Sequence, residues 1–226
     1  MRPVSIPPYI SQLFNTNPAA AHTSTLIKER YQHLTKGEPV VSIVMPAYNE
    51  EANILQTLLS LSNNETQWPV EIIVVNNNSA DKTEEMVVNS GIPCIKETKQ
   101  GITNARNAGL AVAKGIYILN ADADTIYPKD WIEEMVKPLA SNDNICSVYG
   151  RFSFIPIGNT GRFTYFFYEY FADLMRWINK IFRDEAMNAY GFNSGFRREQ
   201  GLTVDGFNHP PGTNEDGWLA LKLREK

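Results

Sequence analysis

From Val40 onward, short apolar runs alternate with stretches whose apolar residues recur at helical spacing. The run "VVSIVMP" predicts a buried strand over 40–46, followed by a helix from about Glu50 to Leu61. The pairing repeats with strand "VEIIVV", a helix from about Ala80 to Asn89, a short strand "PCIKE", a helix "TNARNAGLAVAK" and a strand "IYIL". Strands alternating with helices predict an α/β fold with a mostly parallel, Rossmann-like sheet flanked by helices. In such a sheet ligands gather at the carboxyl ends of the strands. After Asp124 the rhythm loosens into a mixed half: "YPKDWIEEMVKPL" reads as a helix, "ICSVYGRFSF" as a strand, "GFNSGFRRE" as strand-like, and "EDGWLALKL" as a last helix.

Between the two later strands, "RFTYFFYEYFADLMRWI" places Phe163, Phe166, Phe167, Tyr170, Phe171, Leu174 and Ile178 on one helical stripe. A stripe of this kind predicts a core-facing helix. Its surplus of aromatic rings leaves open an interfacial helix, associated peripherally with a membrane or a lipid-linked substrate. Residues 1–38 read as an N-terminal extension with prolines first and a helix around "TSTLIKERYQHL". Residues 39–226 read as one domain, divided at 127 into a regular βα half and a looser, substrate-facing half. The last predicted helix is unfinished at Lys226, which leaves room for a longer native chain.

At 226 residues and 43% hydrophobic, the chain is long enough to bury a substantial core. A net charge of -4 without blocks of like charge argues against nucleic acid as a partner, so any anionic ligand must be bound locally. The two cysteines, Cys94 and Cys146, lack metal-ligand spacing and read as free thiols of a reducing, cytoplasmic setting. Pro3, Pro7 and Pro8 break the N-terminus and disfavour a signal peptide. No apolar run reaches the roughly 18 residues that a bilayer span needs.

The stretch "ILNADADTIYP" sets Asp122 and Asp124 one residue apart at the end of a predicted buried strand. An extended backbone would point both carboxylates the same way, toward a hard cation such as Mg2+ or Mn2+ that also binds substrate phosphates. A solvated loop produces the same spacing. Two other predicted loops share that rim, "PAYNEE" and "NNNSAD".

Four segments in order, "VSIVMPAYNEEANI", "VVNNNSADKT", "KQGITNARNAGLAVAKGIYILNADAD" and "NSGFRRE…NEDGWLALKL", together resemble the family 2 glycosyltransferases of the GT-A fold over about residues 40–226. The resemblance implies a metal-dependent, inverting transfer of a sugar from a UDP- or GDP-linked donor to a glycan or lipid-linked acceptor, as in polysaccharide or glycoconjugate biosynthesis. It implies that Pro46, Ala47, Tyr48, Asn49 and Glu50 receive the nucleoside, with Asn77 and Ser79 from the second loop. Asn77 stands where many members offer a carboxylate to the base edge, and an amide donates as well as accepts. Asp124 is implied as a metal ligand, Asp122 is shared between ribose and metal, and Asp216, with Glu215 beside it, supplies the general base.

Each position also has a plainer reading. Glu50 would suit the positive end of a helix dipole, Tyr48 would serve as a core aromatic, and Asn76 or Asn78 as a turn residue. Arg106 would reach donor phosphates or pair with an internal acid. Glu215 and Asp216 would cap the last helix, whose exposed amides favour an ionised carboxylate at neutral pH. Two other classes compete. A sugar-phosphate nucleotidylyltransferase would need a basic, glycine-rich first loop, which "MPAYNEE" is not. An inactive nucleotide-sugar-binding module is hinted at only by the asparagines of the second loop. Ser194 has no Gly-x-Ser-x-Gly context, and no Gln-x-x-Arg-Trp signature of processive members is present.

Overall fold

The computed structural model describes residues 5–15 and 21–225. Pro3 and Lys226, which enter the readings of the two chain ends, lie outside the described residues. In chain order the elements are α1 (Pro8–Asn15), α2 (Ala21–Leu34), β1 (Val41–Ala47), α3 (Ile54–Ser62), β2 (Val70–Asn76), α4 (Thr83–Asn89), β3 (Cys94–Lys96), α5 (Ile102–Val112) and β4 (Tyr117–Asn120). The second half contains α6 (Trp131–Ser141), β5 (Ser147–Tyr149), α7 (Arg162–Phe182), a single 3-10 turn (Glu185–Asn188), β6 (Ser194–Arg197), α8 (Arg198–Thr203) and α9 (Glu215–Arg224).

Among the described residues one six-stranded sheet runs in the order β3-β2-β1-β4-β6-β5. The first four strands are parallel; β6 pairs antiparallel with both β4 and β5. The chain moves outward from β1 to β3 and then returns to place β4 on the other side of β1. Parallel neighbours whose connections leave in opposite directions open a crevice at their carboxyl ends, so the site is set between β1 and β4.

The central strands β1, β2 and β4 are buried on both faces, and their period of two sorts side chains into two cores. Ile43, Met45, Ile72 and Val74 pack with Leu55, Leu58 and Leu59 of α3 and with Trp131, Ile132 and Met135 of α6. Val44, Ile73, Val75 and Ile118 pack on the other face with Ala105 and Leu110 of α5, Phe196 of β6, Phe207, and Leu219 and Leu223 of α9. Ile27, Tyr31 and Leu34 of α2 belong to the first core, and the Tyr31 hydroxyl accepts the Ile72 N–H at 3.1 Å. Helix α2, within the segment read as an extension, is therefore built onto the sheet.

Several expectations are corrected. Helix α3 begins at Ile54 rather than Glu50; Glu50 belongs to the turn before it, where its carbonyl accepts the Asn53 and Ile54 N–H groups. The two late strands are short, because β5 stops at Tyr149 and β6 gives way at Arg198 to α8, which was not expected. Helix α7 exists, yet its stripe faces outward. Phe163, Phe167, Tyr170, Phe171 and Leu174 are exposed, whereas Glu169 and Arg176 are buried. The reason is polar. Glu169 accepts from Arg162, from the Ser153 hydroxyl and from the Phe154 N–H, and Arg176 stacks on Phe152 and Tyr190, so the charged face is drawn inward to hold the 151–154 segment.

Gly109 lets α5 lie close on the sheet, since a Cβ there would collide with a Val44 methyl in the second core. Gly109→Ala gains helix propensity of about 1 kcal/mol but overpacks the core by about 1–3 kcal/mol. Its urea midpoint is expected to fall; a rise would show that α5 is not seated as described.

Candidate active site

The crevice between β1 and β4 is a cavity of about 370 Å³, within the range of small-molecule sites. Pro46, Ala47, Tyr48 and Glu50 line it from the loop after β1, Asn77 from the loop after β2, Gln100, Gly101, Ile102 and Ala105 from the start of α5, and Asp122, Ala123 and Asp124 from the loop after β4. Tyr48 is exposed at its mouth and is not a core aromatic.

The first two loops are stitched together by asparagines. Asn49 and Asn78 hold left-handed backbone, with φ of 55° and 65°, which asparagine tolerates better than most residues. Ser79 Oγ accepts the Asn49 N–H at 3.0 Å, and Asn49 Oδ1 accepts the Ala80 N–H at 2.8 Å. Asn49 and Ser79 thus brace the rim and do not line the cavity. Asn76 accepts the Ser79 N–H through its side chain and donates to Glu84, so it too serves the turn. Asn77 is 4% exposed and its amide is committed internally: it donates to the Glu97 and Lys99 carbonyls at 2.8 and 2.9 Å and accepts the Gly101 N–H at 2.8 Å. Both of its donor hydrogens are engaged, which corrects the expectation that this side chain reads a base edge with donor and acceptor alike.

Asp122 and Asp124 converge for a reason other than strand alternation. Strand β4 ends at Asn120, and the two acids sit in the turn that follows. The buried Tyr127 hydroxyl accepts the Asp122 N–H at 2.9 Å and donates to the Phe192 carbonyl at 2.8 Å, while Thr57 donates to the Ala123 carbonyl at 2.8 Å. Burial drives the Tyr127 phenol well above its ordinary range, so it remains a neutral strut.

Beneath this rim lies Arg106, 1% exposed in the middle of α5. Its guanidinium donates to Asp122 at 3.1 Å and to the Gly191 carbonyl at 2.9 Å, and it lies 3.5 Å from Asp216 and 3.8 Å from Glu215. Of its two expected roles, internal pairing is the one the geometry displays. Gly191 makes room, since a Cβ there would overlap the guanidinium. Glu215 and Asp216 open α9 without capping it: the cap is Asn214, whose side chain accepts the Gly217 N–H at 2.8 Å.

One cation cannot neutralise so many acids. Burial raises the Asp122 carboxyl above its usual range, with Arg106 opposing and Asp124, Glu215 and Glu50 adding to the rise. Burial likewise pushes Asp216 up to about 6, again against Arg106, which still leaves it mostly ionised at neutral pH. Asp216 and Glu215 are 13% and 15% exposed and lie outside the cavity lining, behind Arg106. Asp216 Oδ1 and Arg106 Nε have no hydrogen-bond partner among the described residues.

Asp122 is 34% exposed and Asp124 is exposed, both on the cavity wall. This surplus of carboxylate suits a divalent cation that takes its remaining oxygens from substrate phosphates and water. No three acids, histidines or cysteines among the described residues gather to hold an ion by themselves. Sequence reasoning missed Gln100 and Ile102 as lining residues, Tyr127 as the strut and Gly191 as the space for Arg106.

A mostly parallel sheet with a crevice lined by carboxylates at its switch point defines the class, a GT-A-like fold. A solved structure with this architecture is the mannosyltransferase PcManGT of Pyrobaculum calidifontis in complex with GDP-Man and Mn2+, with a TM-score of 0.60 at 22% identity over 95% of this chain and 62% of that one. Residues 42–200 match the family described as Glycosyl transferase family 2, and the chain belongs to that family. An uncharacterised glycosyltransferase of Haemophilus influenzae is 33% identical over 123 residues, 51% of this chain and 48% of the relative. The UDP-Glc:alpha-D-GlcNAc-diphosphoundecaprenol beta-1,3-glucosyltransferase WfgD of Escherichia coli is 32% identical over 121 residues, 51% of this chain and 47% of the relative. The chain thus matches about half the length of these curated relatives.

Replacing Arg106 with Met leaves three carboxylates facing one another without their cation. The expected loss is about 3–5 kcal/mol of unfolding free energy at pH 7, shrinking toward pH 4 as the acids protonate. Urea titrations at the two pH values measure it; a loss below about 1 kcal/mol would mean that the cluster is not closed around Arg106.

Proposed function

We propose that the protein transfers a glycosyl group from a nucleoside-diphosphate donor, UDP- or GDP-linked, to an acceptor hydroxyl with inversion at the sugar carbon. Asp216 is the general base in this reading. The observation that carries it is the carboxylate cluster at the switch point: Asp216, with one oxygen unbonded, is tied through Arg106 to Asp122 on the cavity wall. The reading is supported by the family, by a solved neighbour that holds GDP-Man with Mn2+ and by a relative whose name specifies UDP-Glc as donor.

The donor's nucleoside enters between Tyr48 and the start of α5, against Pro46 and Ala47, and its diphosphate lies toward Asp122 and Asp124. Asp124 and Asp122 would hold the Mg2+ or Mn2+ ion, which when bound stabilises charge on the departing diphosphate. The acceptor approaches from the Asp216 side, opposite the donor cavity. Asp216 takes the hydroxyl proton as the new bond forms from oxygen to the sugar carbon and the bond to the diphosphate oxygen breaks; the nucleoside diphosphate leaves with the bonding electrons. A carboxyl near pH 6 is ionised at neutral pH yet basic enough to accept a proton. Arg106 positions this base and Asp122 together.

The alternatives are a sugar-phosphate nucleotidylyltransferase and an inactive binding module. The first loop offers an anionic Glu50 and no basic residue to a triphosphate, which disfavours the former. Incubation with a panel of nucleotide sugars and Mn2+ is expected to release nucleoside diphosphate, with chelator abolishing release and Asp124→Ala or Asp216→Asn lowering it about 100-fold or more. Turnover by these variants at the parental rate would overturn the assignment, and pyrophosphate release from a nucleoside triphosphate and a sugar phosphate would favour the nucleotidylyltransferase.

The pH dependence follows from the sign of the shift. Because the base works ionised and its folded value lies at about 6, kcat/KM should rise about tenfold per unit below that value and level off above it. A profile already flat from pH 4.5 would remove Asp216 from the role.

A further inference from the structure

The outward face of α7 is the largest apolar feature the proposed reaction leaves unused. Phe163, Phe171 and Phe182 are 67%, 59% and 70% exposed, and Phe167, Tyr168, Tyr170, Leu174, Trp177 and Ile181 are exposed beside them. At about 100° per residue these positions sweep roughly half the circumference of a 21-residue helix about 31 Å long. Phe154 and Ile157 of the preceding segment extend the patch, and the Phe154 ring lies against Tyr165 and Tyr168. The helix is inverted relative to an ordinary surface helix: its carboxylates, Glu169 and Asp173, are turned inward toward Arg162 and Arg176, and no acid stands among its exposed positions.

We infer that α7 and the Phe154–Ile157 segment dock on an anionic lipid bilayer, lying in its interface. Three observations select a bilayer over a second copy of the chain. The exposed arc is wider than the seam that one partner helix covers, and a fluid apolar phase covers it whole. The rings include Trp177, Tyr168 and Tyr170, whose amphipathic bodies settle at headgroup depth. Exposed Arg183 borders the patch, and Arg151 and Lys180, paired with Asp173 at 4.0 Å and Glu185 at 3.0 Å, remain 71% and 61% exposed beside it, within reach of anionic headgroups. Among the described residues no helix is long and apolar enough to cross a membrane, so the contact is a surface one. The opposite, inward face of the same helix abuts the acceptor side of the carboxylate cluster. Arg176 of α7 stacks on Tyr190, whose neighbour Gly191 supplies the carbonyl that holds Arg106. Resting on the glycosyltransferase reading, this places the acceptor edge at the lipid surface and makes the acceptor class lipid-anchored.

Flotation with phosphatidylcholine vesicles, with and without phosphatidylglycerol, tests the docking. The protein is expected to float with the mixed vesicles and at least tenfold less with phosphatidylcholine alone. The Phe167→Glu/Phe171→Glu variant, altered only at exposed positions, is expected to lose binding at least tenfold, while Val88→Glu on α4 retains it. A parent protein that stays in the aqueous fraction overturns the inference, as does a dimer in sedimentation velocity that the double variant dissociates without any vesicle binding. Donor turnover without vesicles should be equal in parent and double variant; its absence from both would sink the reaction and leave the docking result standing. With turnover intact, a lipid-linked sugar diphosphate presented in the mixed vesicles should be glycosylated faster by the parent than by the double variant; equal rates would overturn the acceptor class.

Discussion

One buried guanidinium shared by three carboxylates is the constraint on which the site depends. Arg106 can lie 1% exposed only because Asp122, Asp216 and Glu215 surround it and the Gly191 carbonyl takes one of its hydrogens. The contacts reach across the chain. Arg106 rides on α5, Asp122 follows β4, and Glu215 and Asp216 open α9, so a single charge cluster locks the first half of the chain to the second. Gly109 sets the depth of α5 on the sheet and Gly191 leaves the space.

The same cluster is electrostatically incomplete. Burial first, and then acids that outnumber the arginine, make Asp122 and Asp216 hold protons more readily than ordinary aspartates. A divalent ion at the rim would relieve Asp122 directly, and the proton accepted by Asp216 would be held where negative charge is already in excess. In the proposed reaction, binding and proton transfer would draw on one imbalance. The bracing asparagines around it make no chemistry of their own; they keep the loops after β1 and β2 in register with the acids.

Much of the fold was legible because it depends on short-range patterns. The βα alternation through Asn120 came from apolar runs and helical spacing, and the rim location of Asp122 and Asp124 followed from it. Facing was harder. The stripe of α7 was seen correctly and assigned to the core, because periodicity shows that a helix has two faces and not which one the tertiary structure turns inward; Glu169 and Arg176 decided that through partners 15 or more positions away in places. The commitment of the Asn77 amide was equally hidden, since its partners, the Glu97 and Lys99 carbonyls and the Gly101 N–H, lie on a loop 20 residues downstream. Arg106 could be named as a pocket or ion-pair residue, but its choice required knowing that α9 returns to meet α5.

Anomalous diffraction from crystals grown with Mn2+ and a nucleoside diphosphate tests the central claim most directly. The account predicts a single manganese peak bonded to Asp124 or Asp122 and to diphosphate oxygens, with Arg106 still joining Asp122 to Asp216. A peak elsewhere, or a diphosphate bound with Arg106 withdrawn from the three acids, would contradict it.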